Sequence, residues 1–406
     1  MNNLKMAWRN LWRNKRRTLI TVSSIFFGVF LAALMNSMQE GSYSSMIDNV
    51  VKFYSGYIQI QNEEYWDKKT INNSFEINEE LTDKIEKVQE ITNYSERLES
   101  FCLASSETIT QGALIVGVNP DKENEVTSLS KWIREDGQYL KNGENGVLVG
   151  ELLSKHLKLN VGDTLVIIGQ GYHGVSAAGK YPVKGILEFP SPELSKRFIY
   201  MDINIAQELF SAPNRFTSIA LMVENQQYVD IANKELASII EKPLTTMSWA
   251  EMQPELVQMI GSDRAGGVLM ISILYIVIGF GIFGTIMMLM AERKREFAVM
   301  ISVGMRKMKL VLIVIYETIL IGVLGVLSGF IASSPIISYM SQNPIPLGGD
   351  AAQWMIDMGI EPVFAFSMAP EVFLKQAIII FVMVLFVAIY PIASIKRLKV
   401  IQALRG

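Results

Sequence analysis

Four apolar runs, residues 18–38, 266–290, 310–337 and 376–395, interrupt an otherwise mixed chain. Each is about 20 residues or longer, the length an α-helix needs to cross the hydrocarbon core of a bilayer. The pattern predicts four transmembrane helices with more than 200 polar residues between the first and second. In that interval the periodicity changes. Residues 56–61 (GYIQIQ) alternate with period two and read as a strand, as do 113–118, 146–149, 164–168, 181–187, 198–202 and 218–223. Residues 78–88, 151–157 and 228–240 read as helices, the first opening on Asn78 and two acids. Ser248 and Glu251 form a capping-box pattern at the start of a helix over 248–260 that leads toward the second span. Gly, Ser and Ala over 169–179 predict a flexible loop. A second polar stretch, 338–375, holds a short candidate helix at 351–358. The expected fold is an α-helical membrane protein with four transmembrane helices and a large α+β extracytoplasmic domain, of two subdomains or one.

Charge orients this layout. Residues 1–17 carry Lys5, Arg9, Arg13, Lys15, Arg16 and Arg17 with no acid, and 396–406 are likewise basic. The loop 291–309 holds six cations against Glu292 and Glu296, whereas 39–265 hold 33 acidic and 20 basic side chains. Short loops rich in Lys and Arg stay on the cytoplasmic side. Both termini and the 291–309 loop are therefore expected in the cytoplasm, with 39–265 and 338–375 outside. The first run exceeds the about 7–15 apolar residues of a signal peptide and lacks a clean cleavage site. Cys102 is the single cysteine, so no internal disulfide supports the fold.

Candidate chemistry is sparse. No Walker A pattern, H-E-x-x-H or G-x-S-x-G occurs, and His156 and His173 are isolated, so neither a catalytic nor a metal site is expected. Nothing points to nucleic acid; the basic segments abut the membrane, and lipid is their expected anionic partner. Leu4, Ala7, Trp8, Leu11 and Trp12 form an apolar helical stripe beside Lys5, Arg9, Arg13 and Arg16. This predicts an amphipathic interfacial helix over 1–17 with Trp8, Trp12, Arg13 and Arg16 at the membrane surface, the competing reading being a straight extension of the first span. In the 291–309 loop, Glu292 and Glu296 precede Phe297, Met300 and Ile301 at helical spacing, and Gly304 stands where a helix-ending glycine belongs. Such a helix offers an apolar ridge to a soluble partner or rests on the bilayer; the pattern alone leaves both open. Glu317, inside the third span, serves either a proton relay or an interhelical hydrogen bond, and the absence of ionisable groups in the other three span cores favours the bond. Gly322, Gly325 and Gly329 follow it, the last two making a small-xxx-small face for a helix of this chain or of a second permease chain.

Taken together, WRNKRRT at 12–18, ERKREFAVMISVG at 292–304, Glu317 with its glycines, and the tail PIASIKRLKVIQALRG at 391–406 resemble the FtsX/MacB/LolC family of ABC transporter permeases, the type VII class. Val400 departs from a proline common in the tail. GVLVGELLSKHLKLNVGDT at 146–164 is similar to a segment of the family's periplasmic domain, with Ser154 in place of the usual alanine.

The resemblance implies a permease subunit without ATPase activity or cofactor of its own. ATP and Mg would be bound by two cytoplasmic ABC ATPase subunits. A second permease chain, identical or related, would pair around the first and second spans in the inner membrane. Residues 291–304, with Glu292, Arg295, Glu296, Phe297, Met300, Ile301 and Gly304, would be the coupling helix seated in an ATPase groove. Motion would pass to the outside domain with no channel. The G-x-I-x-I at 56–60 and the chain length resemble the lipoprotein-releasing LolC/LolE subgroup, which would add a periplasmic lipoprotein carrier as a partner. The alternatives are MacB-like efflux of antimicrobial peptides or macrolides, and FtsX-like signalling to cell-wall hydrolases.

Overall fold

The computed structural model describes residues 3–13, 15–106, 108–189, 191–357 and 362–405. The chain divides into a helical unit (Met1–Ser44, Ile260–Pro346 and Val363–Gly406) and an α+β unit (Ser45–Met259 and Leu347–Pro362).

The helical unit is drawn from α1 (Asn3–Arg13), α2 (Lys15–Val50), α3 (Pro254–Glu292), α4 (Lys294–Ser302), α5 (Lys307–Gln342), α6 (Pro370–Val387), α7 (Ile389–Lys396) and α8 (Val400–Arg405). Among the described residues, four stretches are helical, long and apolar enough to cross a membrane: Thr18–Ser55, Pro254–Ser302, Lys307–Gln342 and Pro370–Lys396. Their outer faces expose Leu31, Leu269, Phe280, Ile331 and Phe386. Water would penalise so much apolar surface, whereas lipid accepts it.

At the centre stands α5. A Cβ at Gly325 would lie 2.5 Å from Ile25 Cγ2, one at Gly329 2.7 Å from Val29 Cβ, and one at Gly322 3.0 Å from Val384 Cγ1. The glycine face therefore mates within the chain, with α2 at Gly325 and Gly329 and with α6 at Gly322. The first helix is no straight extension of the span. Thr18 Oγ1 donates to the Leu11 carbonyl seven residues back at 2.9 Å, which requires the chain to turn. Ala7 and Leu11 are buried where α1 packs on α5, leaving Leu4, Trp8 and Trp12 exposed. The predicted stripe is thus split between protein and surroundings. The side chain of Arg17 lies outside the described residues.

In the α+β unit, β1 (Ile58–Asn62), β2 (Ile91–Ser105), β3 (Thr110–Val118), β4 (Val147–Gly150), β5 (Thr164–Gln170), β6 (Ser176–Leu187), β7 (Phe198–Asp202), β8 (Ser218–Val223) and β9 (Leu244–Ser248) form one sheet in the order β9-β1-β8-β2-β3-β7-β4-β6-β5. An added β2–β5 pairing closes β2-β3-β7-β4-β6-β5 into a barrel. The β3–β7 and β4–β6 pairs are parallel. Along one edge, β2 pairs first with β8 (Ser218↔Arg97) and then with β5 (Leu103↔Ile168), so a single 15-residue strand belongs to both the open sheet and the barrel. Inside the barrel, Leu98, Cys102, Ile115, Val149, Leu165, Ile167, Val183 and Ile199 make an apolar core.

Two sequence expectations need correction. Residues 169–179 are not a loop but the tip of the β5–β6 hairpin, turning at Tyr172–Gly174, with Gly169 opposite Ala177 and Ile167 opposite Gly179. Small residues there let strands pass closely while cross-strand hydrogen bonds hold them. The helix expected over 248–260 is broken. Ser248 caps Trp249–Met252 with the full capping box, Gln253 leaves helical geometry, and Pro254 starts α3. Proline has no N–H to give and suits a first helical turn. The short helix of the second polar stretch is Gly349–Asp357; residue 358 of its expected range lies outside the described residues.

Candidate functional site

The candidate site is the elbow where α3, α4 and α5 meet. Arg293 separates α3 from α4, and its own carbonyl accepts from Phe297 N at 3.0 Å. At the other end the backbone of Gly304 takes φ +98°, which glycine adopts without strain. Gly304 N donates to Ile301 O and Met305 N to Met300 O, both at 3.0 Å, the paired bonds of a Schellman ending. A nine-residue helix is thus fixed at both ends by local backbone chemistry.

Its orientation comes from an ion pair. Arg293 Nη1 donates to both carboxylate oxygens of Glu317, at 2.7 and 2.8 Å, and the residues are 1% and 4% exposed. The guanidinium carbon lies 5.1 Å from the Phe297 ring centre, and Nε lies 3.6 Å from Glu296 Oε2. Arg13 Nη2 donates to the same Glu296 oxygen at 3.3 Å. The order Arg13, Glu296, Arg293, Glu317 therefore joins α1, α4, the end of α3 and α5 by alternating charges. A buried pair of this kind recovers its desolvation cost only while both partners stay in place. Arg293 Nε and Nη2 have no hydrogen-bond partner among the described residues, so Glu317 carries most of the compensation.

Glu317, on α5, is thus bonded to the residue that joins α3 to α4. Of the ridge expected on α4, Phe297 is 1% exposed and packed in the helical core with Leu11 and Leu310, and Met300 and Ile301 are half-buried. The ridge faces inward. The apolar side chains α4 turns outward are Val299 and, at its end, Val303, which is 84% exposed. Glu292, Arg295 and Glu296 are exposed, and α8 packs on α4. Trp8 and Trp12 are exposed, edge to face at 5.9 Å, and Arg13 and Arg16 are exposed beside them. Sequence reasoning missed Arg293, whose available signal was a cation at the last turn of one span with a lone acid in the next.

The α+β unit holds a second buried pair. Arg97 donates through Nε and Nη2 to Glu123 at 3.0 and 2.7 Å, and through Nη1 to the carbonyl of Tyr54; both partners are fully buried. Tyr54 belongs to the π-turn Val51–Ser55 that continues α2, so this turn is fastened to β2 and to the helix Pro120–Thr127. Among the described residues no three His, Cys, Asp or Glu side chains converge to hold a metal ion.

Residues 18–239 match the MacB-like periplasmic core domain, and residues 268–400 match the FtsX-like permease C-terminal region. The chain is 21% identical over 238 residues to the lipoprotein-releasing system transmembrane protein LolC of Xylella fastidiosa, covering 56% of this chain and 57% of that one. It is 24% identical over 198 residues to an uncharacterized ABC transporter permease of Mycobacterium tuberculosis, covering 48% of this chain and 22% of the other. The chain therefore spans little more than half the length of the LolC relative it matches. Among solved structures it is similar to the extracellular domain of the noncanonic ABC-type transporter YknZ from Gram-positive bacteria, at 14% identity and a TM-score of 0.34, covering 47% of this chain and 99% of that one. The periplasmic region of MacB from Actinobacillus actinomycetemcomitans aligns at 15% identity and a TM-score of 0.36, covering 49% of this chain and 91% of that one. With a MacB-like core domain followed by an FtsX-like permease region and four apolar helices, this chain belongs to the MacB/FtsX/LolC family of ABC transporter permeases.

Proposed function

We propose that this chain is the force-transmitting half of a type VII ABC transporter that releases lipoproteins from the membrane in which it sits. Both termini and α4 face the cytoplasm in this reading, where two ATPase subunits bind and supply ATP and Mg. A second permease chain completes the membrane part, and a periplasmic carrier receives the lipoprotein. The chain itself carries out no chemistry. The observation that carries the reading is the Arg293–Glu317 pair. It ties α4, the element a cytoplasmic ATPase would push, to α5, the helix on which α1, α2 and α6 pack. A push on α4 is then borne by helices, not absorbed by a loop. The similarity to LolC favours lipoprotein as cargo.

Depletion of the protein tests this. Mature lipoproteins should accumulate in the inner membrane; an unchanged lipoprotein distribution would remove the release function. Increased sensitivity to macrolides or antimicrobial peptides without a lipoprotein defect would replace it with efflux.

A further inference from the structure

The helical unit holds a cavity of about 210 Å³ between α2, α3 and α6 that the coupling reading does not use. Its walls come from residues 36–43, which close the first apolar run, 264–271, which open the second, and 369–376, which lead into the fourth. The cavity therefore sits where three apolar stretches meet the polar boundary of the membrane region. Val268, Ile271 and Val372 supply its apolar side. Gln376 also lines it and is 4% exposed. The Gln376 Oε1 accepts from Tyr275, while Nε2 makes no hydrogen bond among the described residues and is not sealed from solvent. The other two amides of the lining are used within α2. Asn36 Nδ2 donates to the Ala32 carbonyl at 2.9 Å, and Gln39 Nε2 to Tyr43 Oη at 2.8 Å. Gln376 Nε2 is thus a reachable donor, on a side chain otherwise buried, that no protein acceptor meets. Such a donor is costly beside lipid, and a ligand acceptor would relieve the cost.

Charges at the same lining balance. Arg264 donates through Nη2 to both Glu40 oxygens, at 2.9 and 3.2 Å, and its guanidinium carbon lies 5.2 Å from the Tyr43 ring centre. That arrangement fixes the guanidinium and leaves Nε and Nη1 for another acceptor. Lys375 and Glu371 are exposed and meet at 3.5 Å. We propose that this cavity holds the phosphoethanolamine head of a membrane phospholipid. A phosphate oxygen accepts from Gln376 Nε2, with Arg264 and Lys375 as the remaining donors, and the ammonium donates to Glu371. The acyl chains leave past Val268, which is 59% exposed, into the bilayer. Two acids and two bases at the lining suit a zwitterion better than an anionic head. The volume is too small to enclose a whole lipid and matches a head whose chains stay outside. The lipid is a bound companion of the helices, whichever cargo the transporter moves.

Native mass spectrometry of the full chain in dodecyl maltoside, titrated with palmitoyl-oleoyl phosphatidylethanolamine, tests this. One saturable lipid adduct is expected. Phosphatidylcholine, whose methylated ammonium cannot donate, and phosphatidylglycerol, which has no ammonium, should each bind about tenfold more weakly. Gln376→Glu keeps an acceptor for Tyr275 but sets a carboxylate oxygen in place of Nε2, and should lower phosphatidylethanolamine binding by about tenfold. Tyr275→Phe removes the other bond of Gln376 and should keep the adduct. Glu371→Gln should erase the preference for phosphatidylethanolamine while phosphatidylcholine binds as in wild type, a pattern that misfolding does not produce. No saturable adduct, equal binding of the three lipids, or a preference retained in both Gln376→Glu and Glu371→Gln overturns the proposal. Displacement of the lipid by an equal concentration of soluble phosphoethanolamine also overturns it and assigns the cavity to a free phosphate ester.

Discussion

Arg293 and Glu317, 24 positions apart, meet through two hydrogen bonds of 2.7 and 2.8 Å in a place almost closed to solvent. Removing one partner leaves a buried charge alone, at about 3–5 kcal/mol. Arg293→Met and Glu317→Gln should each lower thermal stability in nanodiscs accordingly. Arg293→Met combined with Glu317→Leu should restore much of it, because an apolar pair incurs no desolvation cost. Stability unchanged in the single variants would show that the pair carries no load.

The inward turn of Phe297 separates the packed face of α4 from its exposed face, the one on which the proposed ATPase contact would fall. Phe297→Asp places a charge in the helical core and should destabilise the chain itself. Val303→Asp changes an 84% exposed side chain. It should leave stability within about 0.5 kcal/mol and yet lower cargo-stimulated ATP hydrolysis of the assembled transporter. Full stimulated hydrolysis in Val303→Asp would take the outward end of α4 out of the ATPase interface.

Gly325 and Gly329 admit Ile25 and Val29 of α2. Gly325→Leu must push the helices apart or distort rotamers, a cost of about 1–3 kcal/mol. Gly281, with nothing within 4 Å of its added Cβ, is the internal control, and Gly281→Ala should be tolerated. Equal melting temperatures for Gly325→Leu and Gly281→Ala would contradict the packing.

Cys102 lies inside the barrel, and burial pushes its thiol up to about 12. At pH 8 the thiol is protonated and shielded, so a maleimide should label it only after denaturation. Rapid labelling of the native chain would mean that the barrel opens.

Lys184 donates to Glu144 at 2.8 Å and holds that carboxyl below its usual range. A folded-state value below the unfolded one gives stability that is present above the ordinary carboxylate range and lost as pH falls through the folded value. Glu144→Gln should therefore flatten the acid limb of the stability curve, measured by near-UV circular dichroism between pH 5 and pH 3 (about the range where carboxylates titrate). An unchanged acid limb would show that this pair adds nothing.

Much of the architecture was legible because its signals are local. The strands Phe198–Asp202 and Ser218–Val223 and the helix Glu151–Leu157 fall where alternation and helical spacing put them. Asn78 accepts from Leu81 N at 2.9 Å as a cap, and Gly304 ends α4. By contrast, β2 gave no clean alternation, because Glu96, Arg97 and Glu99 interrupt it. Arg97 and Glu99 are tolerated within because distant groups satisfy them, Glu123 for Arg97 and Tyr65 for Glu99. The β5–β6 hairpin hid behind small residues that composition alone reads as a loop.

The sequence by itself determined what a segment prefers and which solvent it suits: four lipid-compatible helices, a mixed α+β region, caps and turns, and the segregation of charge. Each depends on residues a few positions apart. Only the tertiary structure decided that Arg293 answers Glu317, that the glycines of α5 receive α2 and α6, that Phe297 faces inward, and that β2 serves two sheets. These are pairings between segments far apart in the chain, and a side chain's pattern states that it needs a partner without stating which.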